Sequence, residues 1–338
     1  MGSLHAFDSL VGNTPLIRLN ALSSMLGCEV FGKCEFLNPG GSVKDRVALA
    51  IVRSAPPGAT VYEGTSGSTG ISLCMAAICR GMKCTVLMPD DVAAEKAALI
   101  TALGGNVHLV RPLSIVDPGH MCKSAERLAK EDPIGFYANQ FENTLNFKTH
   151  FESTGIEICE QLKALNIAPN VFVASAGTGG TIGGVSARLK HTFGSTRVKT
   201  ILADPPGSGL CNKINHGTLF SIKDREGYRI RHPIDTIVEG VGLNRLTSNF
   251  KLATKFIDSA FEISDAETVE MANFLLKNEG LFLGSSSALN CACIIKAVKT
   301  GDIKPGDTVV TILCDSGMRH ISKFWNLDYL QKLDLHPK

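Results

Sequence analysis

Short apolar segments alternate with segments of helical composition along this chain, and this alternation restricts the fold more than any other feature. The apolar segments are nearly continuous, as in strands whose two faces are both covered. Such strands separated by helices predict an α/β fold in which parallel sheets are flanked by helices. The predicted strands are 84–89, 106–110, 171–175, 198–204 and 308–314, and the predicted helices are 93–104, 121–130, 146–165, 181–191, 265–278 and 285–299.

The length and charge of the chain narrow the class of protein further. A chain of 338 residues corresponds to about two domains, and we place the boundary near residue 150. Lys and Arg number 34 against 32 Asp and Glu, so the net charge of +2 gives no electrostatic reason to expect nucleic acid or an anionic membrane as a partner. No apolar run approaches the roughly 18 residues of a membrane-spanning helix.

The 11 cysteines predict a reducing compartment, where they serve as small core residues. They are scattered and contain no C-x-x-C, and their closest pair, Cys291 and Cys293, has neither zinc-site nor redox spacing, so no metal site is predicted. The opening residues 1–3 resemble a remnant of expression cloning. A membrane anchor is therefore expected only if a native N-terminal segment has been removed.

A lysine at the start of a predicted helix is the first candidate for chemistry. In segment 38–46, Asn-Pro-Gly-Gly is a turn signal, Ser42 can cap the following helix, and Lys44 falls in its first turn. The positive end of the helix dipole disfavours a cation there. Lys44 is therefore either an ordinary solvated lysine or one whose lowered pKa makes it a nucleophile and a base.

Three loops rich in glycine and hydroxyl side chains each precede a predicted helix. Segments 63–72 and 279–290 carry donors that suit a carboxylate or a phosphate, although each is also explained as a turn with a helix cap. Segment 175–184 follows a predicted strand but has Ile182 where the dinucleotide fingerprint G-x-G-x-x-G needs glycine. It also lacks the Gly-Lys-Ser/Thr of a nucleoside-triphosphate loop, which leaves a cradle for a single phosphate.

Together these segments supply a lysine for a carbonyl group, a phosphate cradle, a carboxylate cradle and a hydroxyl for a ring nitrogen. That set of groups fits pyridoxal 5'-phosphate and an amino-acid substrate.

The chain also resembles the cysteine synthase and cystathionine β-synthase family of pyridoxal-phosphate enzymes over residues 10–325, nearly its whole length. The resemblance lies in the motifs LVGNTPLIRLN, EGTSGSTGIS, SIVDP, ANQFEN, VEGVGLNR and CDSGMRH, whose wording is closest to a fungal mitochondrial cysteine synthase branch. It implies a two-domain fold-type-II enzyme similar to the tryptophan synthase β-subunit, and a homodimer. The implied domains are a smaller, mobile substrate-carboxylate domain over 40–150 and a larger cofactor-phosphate domain over 1–39 plus 151–330.

The resemblance also implies a place in the cell. That place is the mitochondrion, or the outer mitochondrial membrane if an N-terminal anchor has been removed, and otherwise the cytoplasm.

The family pattern implies a role for each site residue. Lys44 would hold the cofactor as an internal aldimine and would later remove the α-proton of the substrate. Ser68 would lie at the cofactor's 3'-oxygen, and Ser286 would face the pyridine nitrogen. The phosphate would be bound by Gly177, Thr178, Gly179, Gly180 and Thr181, and the substrate side of the site would be formed by Thr65, Ser66, Gly67, Thr69, Gln140 and Gly240.

Ser68 departs from the family pattern, which reads TSGNTG at this point. An asparagine side chain reaches the 3'-oxygen, whereas serine is shorter, so we expect a missing or water-bridged bond in place of a direct hydrogen bond of about 2.7–3.2 Å. We expect this difference to affect the reaction rate and not cofactor binding. The alternative is that Ser68 only caps a helix that starts near Thr69.

The implied reaction is a β-replacement that makes L-cysteine from O-acetyl-L-serine and sulfide through an aminoacrylate. A serine at the ring nitrogen fits this chemistry, because a hydroxyl, unlike a carboxylate, does not keep that nitrogen protonated. Two other enzymatic interpretations stay open: a cystathionine β-synthase-like use of serine or cysteine with a thiol, and a serine or threonine dehydratase. A non-catalytic protein that only binds the cofactor is a further alternative.

Overall fold

The computed structural model describes residues 6–221 and 236–335, which form two β-sheets and the helices that pack on them. The strands are β1 (Leu16–Arg18), β2 (Glu29–Cys34), β3 (Thr60–Gly64), β4 (Lys83–Pro89), β5 (Asn106–Val110), β6 (Gly135–Tyr137), β7 (Val171–Ser175), β8 (Lys199–Asp204), β9 (Ser259–Glu262) and β10 (Thr308–Leu313). The helices are α1 (Ala6–Leu10), α2 (Asn20–Leu26), α3 (Lys44–Ser54), α4 (Ser68–Ile78), α5 (Ala94–Ala102), α6 (Met121–Glu131), α7 (Leu145–Thr149), α8 (Gly155–Ala164), α9 (Gly180–Phe193), α10 (Leu210–His216), α11 (Ser248–Ala253), α12 (Asp265–Glu279), α13 (Ser285–Lys299) and α14 (Leu327–Lys332).

The larger sheet has the strand order β1-β2-β10-β7-β8-β9 within the described residues. Its neighbouring strands run parallel except β1, which is antiparallel to β2. In the central strand β10, Thr308 lies opposite Glu29 of β2, and Val309 lies opposite Val171 of β7. Successive side chains point to opposite faces of a strand, so Val309 and Val310 belong to separate apolar cores on the two sides of the sheet.

The smaller sheet has the order β5-β4-β3-β6 and is parallel throughout. Its strands fall within residues 60–137, whereas those of the larger sheet come from 16–34 and 171–313. A third apolar core covers the smaller sheet and includes Val47 and Ile51 of α3 with Ile71 and Leu73 of α4. The α3 helix therefore follows β2 of the larger sheet in the chain, but it packs on the smaller sheet.

The predicted α/β class with parallel sheets flanked by helices is confirmed, and strands β5 and β7 have the predicted bounds. One predicted element is wrong, because residues 146–165 do not form one helix. A π-helical turn, His150–Thr154, separates α7 from α8. The wider turn lets the His150 ring bond to Thr154 and to Thr181 of α9, a tertiary contact that apolar periodicity does not reveal.

The carboxyl ends of β2, β3 and β7 lead into three of the segments that the sequence singled out, namely 38–46, 63–72 and 175–184. In parallel α/β sheets, ligands bind at this edge, because the loops that follow the strands converge there. Within residues 6–221 and 236–335, no helix combines the length and apolar character needed to cross a membrane.

Candidate active site

A cavity of about 650 Å³ lies where loops from the two sheets meet. Most of the predicted site residues line it, namely Lys44, Thr65, Ser66, Ser68, Thr69, Gln140, Gly177, Thr178, Gly179, Thr181, Gly240 and Ser286. Gly67 and Gly180 are not part of the lining. A Cβ on Gly67 would meet the Lys96 side chain, which itself lines the cavity, and one on Gly180 would overlap Asn146, which does not. Both glycines therefore make room for neighbouring side chains.

Lys44 is the first residue of α3 and contributes to the cavity wall. Its backbone N–H donates to Ser42 Oγ at 3.3 Å. The N-cap of the helix is Val43 and no side chain caps it, so the predicted cap by Ser42 is wrong. Burial lowers the pKa of Lys44, while Cys314 and Asp315 oppose that shift. The amine therefore loses its proton more readily than that of an exposed lysine, as a nucleophile and a base require.

A buried group of ion pairs anchors the first turn of α3. Arg46 donates to Glu35 from Nε at 2.8 Å and to Glu157 from Nη1 at 2.6 Å. Lys33 donates to Glu157 at 2.7 Å and to the Thr14 carbonyl at 2.6 Å. Removing one partner of a buried pair costs about 3–5 kcal/mol, because it leaves an uncompensated charge. Lys33 thus has a structural role in this group and does not line the cavity.

The loop after β7 needs glycine for steric reasons. A Cβ on Gly177 would overlap the carbonyl oxygen of Gly240. Gly179 has a φ of +89°, and its Cβ would lie 2.6 Å from the Cα of Phe250. Among the described residues, no backbone partner is found for the N–H groups of 177–179. These donors lie at the N-terminus of α9 and form a cradle that suits a phosphate.

Two threonine hydroxyls beside this cradle are positioned by buried side chains. Asn146 Nδ2 donates to Thr178 Oγ1 at 2.8 Å. Thr181 Oγ1 lies 3.1 Å from Nε2 of His150, and Nδ1 of the same ring lies 2.9 Å from Thr154 Oγ1. Burial lowers the pKa of His150 well below its usual value, so the ring is neutral. The sequence analysis missed His150 and Asn146, because an isolated polar residue in a helical segment forms no recognisable pattern.

The loop between β3 and α4 presents hydroxyl groups on the opposite side of the cavity. Thr69 Oγ1 donates to Gln140 Oε1 at 2.7 Å, and Gln140 Nε2 donates to Glu63 Oε1 at 3.2 Å. Burial raises the pKa of Glu63 to about 8, although hydrogen bonds from Gln140 oppose this shift. The predicted substrate residues Thr69 and Gln140 are therefore braced by a buried, mostly protonated carboxyl group that the sequence analysis did not identify.

Ser68 is the first residue of α4 and lines the cavity. The N-cap of the helix is Gly67, with a φ of +128° and no side-chain capping bond. The interpretation of Ser68 as a mere cap of a helix near Thr69 is therefore wrong. No hydrogen bond from Ser68 Oγ to another described residue is found, which leaves this hydroxyl available to a ligand.

The three serines at the start of α13 have different partners. Ser285 Oγ accepts a hydrogen bond from the Glu239 backbone at 3.1 Å, and Ser287 Oγ accepts one from the Cys314 backbone at 2.8 Å. Ser286 is the one of the three that lines the cavity, where its hydroxyl contacts the Cys314 thiol. The outer serines thus hold the loop and β10 in place, and the middle one faces the ligand space.

An acid–histidine pair on the cavity wall was not predicted. Asp315 directly follows β10, and its Oδ2 lies 2.9 Å from Nε2 of His320. Nδ1 of His320 lies 3.4 Å from Glu239 Oε2, and Lys96 forms an ion pair with the same carboxylate. Asp315 could have been identified from the sequence as a candidate site residue, since it is a polar residue at the carboxyl end of a buried strand. Glu239, His320 and Lys96 had no such local signal.

The cysteines form no disulfide in the structure, and all 11 are free. Burial raises the pKa of several of these thiols, including those of Cys34 and Cys314, each to about 12. Such thiols stay protonated and behave as core residues. In the described part of the chain, no group of three or more His, Cys, Asp or Glu side chains is arranged to hold a metal ion.

Comparisons with known proteins agree with this geometry. The profile of the family described as "Pyridoxal-phosphate dependent enzyme" matches residues 7–315. "Cysteine synthase 2" of Schizosaccharomyces pombe is 44% identical, over 99% of this chain and 87% of its own length. "Putative mitochondrial cysteine synthase" of Saccharomyces cerevisiae is 43% identical, over 94% of this chain and 83% of its own length. The crystal structure of an O-ureido-L-serine synthase has a TM-score of 0.81 and 27% identity, and the match covers 96% of each chain. This chain belongs to the pyridoxal-phosphate dependent enzyme family.

Proposed function

We propose that this enzyme makes L-cysteine from O-acetyl-L-serine and sulfide by replacing the β-substituent of the amino acid. The observation that carries the proposal is one cavity that joins Lys44, the glycine loop 177–180 and the hydroxyl loop 65–69. Its volume of about 650 Å³ is within the usual range of ligand sites, roughly 300–1,000 Å³. Two relatives that match nearly the whole chain bear the name cysteine synthase.

The residues of the cavity fit pyridoxal phosphate, the cofactor of this family. Lys44 would supply the amine for its aldehyde group, the N–H groups of 177–179 would bind its phosphate, and Ser286 would meet its ring nitrogen. Two observations support this fit, namely the unpartnered N–H groups of the glycine loop and the lowered pKa of the buried Lys44. When bound, pyridoxal phosphate supplies the electron sink that lets the α-proton and the β-substituent of the substrate leave.

Lys44 Nζ would act as the base that removes the α-proton. With the substrate bound, the Lys44 amine would be free to accept this proton. Burial favours its neutral form, which is the form that can do so. The neighbouring Asp315 carboxylate opposes this lowering of the Lys44 pKa, and it would stabilise the ammonium group that forms.

The hydroxyl loop would hold the substrate carboxylate. Thr65, Ser66 and Thr69 present hydroxyl groups beside the N-terminus of α4, where free backbone N–H groups also favour an anion. A Cβ on Gly240 would lie 3.9 Å from Ser66 Oγ, so the hydroxyl loop faces the loop that contains Gly240. The substrate carboxylate would thus be bound by groups of the smaller sheet, while the phosphate is bound by groups of the larger one.

The surroundings of Ser286 favour elimination and replacement over racemisation. The Ser286 hydroxyl carries no charge, and burial raises the pKa of the adjacent Cys314 thiol to about 12. Neither neighbour would therefore hold the ring nitrogen protonated at neutral pH. These surroundings would therefore favour loss of the β-substituent over racemisation.

The test is product analysis of the purified enzyme supplied with O-acetyl-L-serine and sulfide. We expect L-cysteine and acetate, with activity lost in Lys44→Ala and kept in the control Lys83→Ala, whose side chain is exposed on β4. Keto acid and ammonia as the main products would identify a dehydratase instead. A preference for serine with homocysteine would identify a cystathionine β-synthase-like enzyme.

Three further properties belong to the same proposal. We infer that residues 40–150 move as a unit relative to 1–39 plus 151–330, that the enzyme is a homodimer, and that it resides in mitochondria. The separate smaller sheet supports the first, and one relative's name supports the third. Small-angle scattering with and without substrate, light scattering after gel filtration, and microscopy of the tagged full-length gene product test them in turn.

A further inference from the structure

Four charged side chains of alternating sign, three of them buried and one half-buried, run from the surroundings of Lys44 to helix α5. They are Asp315, His320, Glu239 and Lys96, joined by the 2.9 Å and 3.4 Å contacts of the His320 ring and by the Lys96–Glu239 ion pair. Asp315, His320 and Lys96 are 6%, 2% and 2% exposed, so water contributes little to their solvation. The first three belong to loops beside the larger sheet, whereas Lys96 belongs to the smaller one.

Two glycines make room for this charge chain, which is the name we give to those four residues. A Cβ on Gly284 would overlap Asp315 Oδ1 and lie 2.6 Å from Nε2 of His320. A Cβ on Gly67 would lie 2.6 Å from Cδ of Lys96. Because Gly67 belongs to the hydroxyl loop, the Lys96 stem lies directly behind the proposed carboxylate site. The charge chain therefore touches both halves of the cavity.

The charge balance around His320 favours its charged form. Burial disfavours the imidazolium, but Asp315 and Glu239 together raise the pKa of His320, and Lys96 partly opposes them. Burial raises the pKa of Asp315 and of Glu239, yet the net shift of each is downward because His320 faces both. The other charged groups around the charge chain are Arg319 beside Asp315, Asp45 beside Arg319, Glu95 beside Glu239, and Lys44 beside Asp315.

We propose that His320 is a positioning residue that holds the Asp315 carboxylate beside Lys44 and, through Glu239, ties that carboxylate to Lys96 on α5. Asp315 lies near Lys44 because it forms an isolated β-bridge with Ser42, which is two residues before Lys44 in the chain. The imidazolium offsets part of the Asp315 charge and so keeps Lys44 a competent base. The inference rests on the proposed role of Lys44, and it assigns to α5 an electrostatic link to that lysine through Glu239, His320 and Asp315.

The first experiment measures the pH profile of kcat for wild type, His320→Gln, Lys96→Met and the double variant. Removing the imidazolium leaves Asp315 to stabilise the ammonium form of Lys44. The acidic limb of the His320→Gln profile should therefore move to higher pH by about one unit. Because Lys96 reaches Lys44 only through Glu239 and His320, the shifts of the two single variants should not add in the double variant. His108→Gln and Lys83→Met, at exposed positions of the smaller sheet, are the matched controls.

The second experiment does not depend on catalysis. Trp325 is the single tryptophan of the chain, and its backbone N–H donates to the His320 carbonyl at 3.0 Å. Trp325 fluorescence in the holoenzyme should show a pH transition that is absent in His320→Gln. Since Lys96 lowers the pKa of His320, the midpoint should move to higher pH in Lys96→Met.

The outcomes separate this inference from the proposed function. If no cysteine is formed, the proposed function fails, and the fluorescence titration still tests the charge chain. A His320→Gln profile that matches the His108→Gln control would overturn the positioning role, as would additive shifts in the double variant. Should His320→Gln fail to fold, Lys96→Met tests the same link, and an unmoved fluorescence midpoint in that variant would refute it.

Discussion

Replacement of Thr181 by alanine tests the phosphate cradle most directly. The Thr181 hydroxyl lies beside the glycine loop, 3.1 Å from Nε2 of His150. A hydrogen bond to a charged group is worth about 1.5–3 kcal/mol, so losing one to a phosphate should weaken cofactor binding by about 10- to 150-fold. We therefore expect Thr181→Ala to fold, to carry less cofactor after purification, and to regain it at high cofactor concentration.

The protonation of the His150 ring determines whether the Thr181 hydroxyl donates its proton to that ring or to the phosphate. Burial lowers the pKa of His150, so its neutral ring has one N–H donor and one acceptor. If Nε2 carries the proton, it donates to Thr181 Oγ1, and Nδ1 accepts from the Thr154 hydroxyl 2.9 Å away. The Thr181 proton then remains available for the phosphate. Thr181→Ser retains this arrangement and should bind the cofactor as the wild type does.

The assay is a fluorescence titration of the apo-enzymes with pyridoxal phosphate, with thermal unfolding measured in parallel. Thr181→Ala also leaves the buried Nε2 of His150 unpartnered, which should cost about 1–3 kcal/mol of stability. An unchanged dissociation constant together with reduced stability would refute the cradle, because the hydroxyl would then serve only His150. Equal weakening in Thr181→Ser would refute the hydrogen-bond argument.

Three further substitutions test other parts of the site. The folded state raises the pKa of Glu63 to about 8 from an ordinary value of 4.5, so wild-type stability should fall as the pH rises between these values; urea unfolding of Glu63→Gln should show a smaller fall. Ser68→Asn should speed cysteine formation from O-acetyl-L-serine, and unchanged rates with an unchanged absorbance maximum would contradict this. Gly284→Ala should lower the free energy of unfolding by about 1–3 kcal/mol, because its Cβ overlaps Asp315; a calorimetric transition at the wild-type temperature would count against that packing.

Much of the fold was predictable from the sequence because the relevant signals are local. Strands β7 and β10 are runs of apolar residues that are buried on both faces, and such runs stand out between glycine and polar segments. The glycine loop 177–180 was also recognisable, because clustered glycines are typical of places where the backbone approaches another group closely. Lys44 stood out because its place in the first turn of a helix is electrostatically unfavourable.

The sequence by itself therefore determined the α/β class, the bounds of five of the ten described strands to within one residue, and the chemical inventory of the loops. The tertiary structure alone decided which groups act on one another. It divided the helix predicted for 146–165 at His150, and it assembled Asp315, His320, Glu239 and Lys96 from distant segments. The physical reason is that burial and charge interactions depend on distances in space, and residues far apart in a chain carry no joint pattern that periodicity or spacing can reveal.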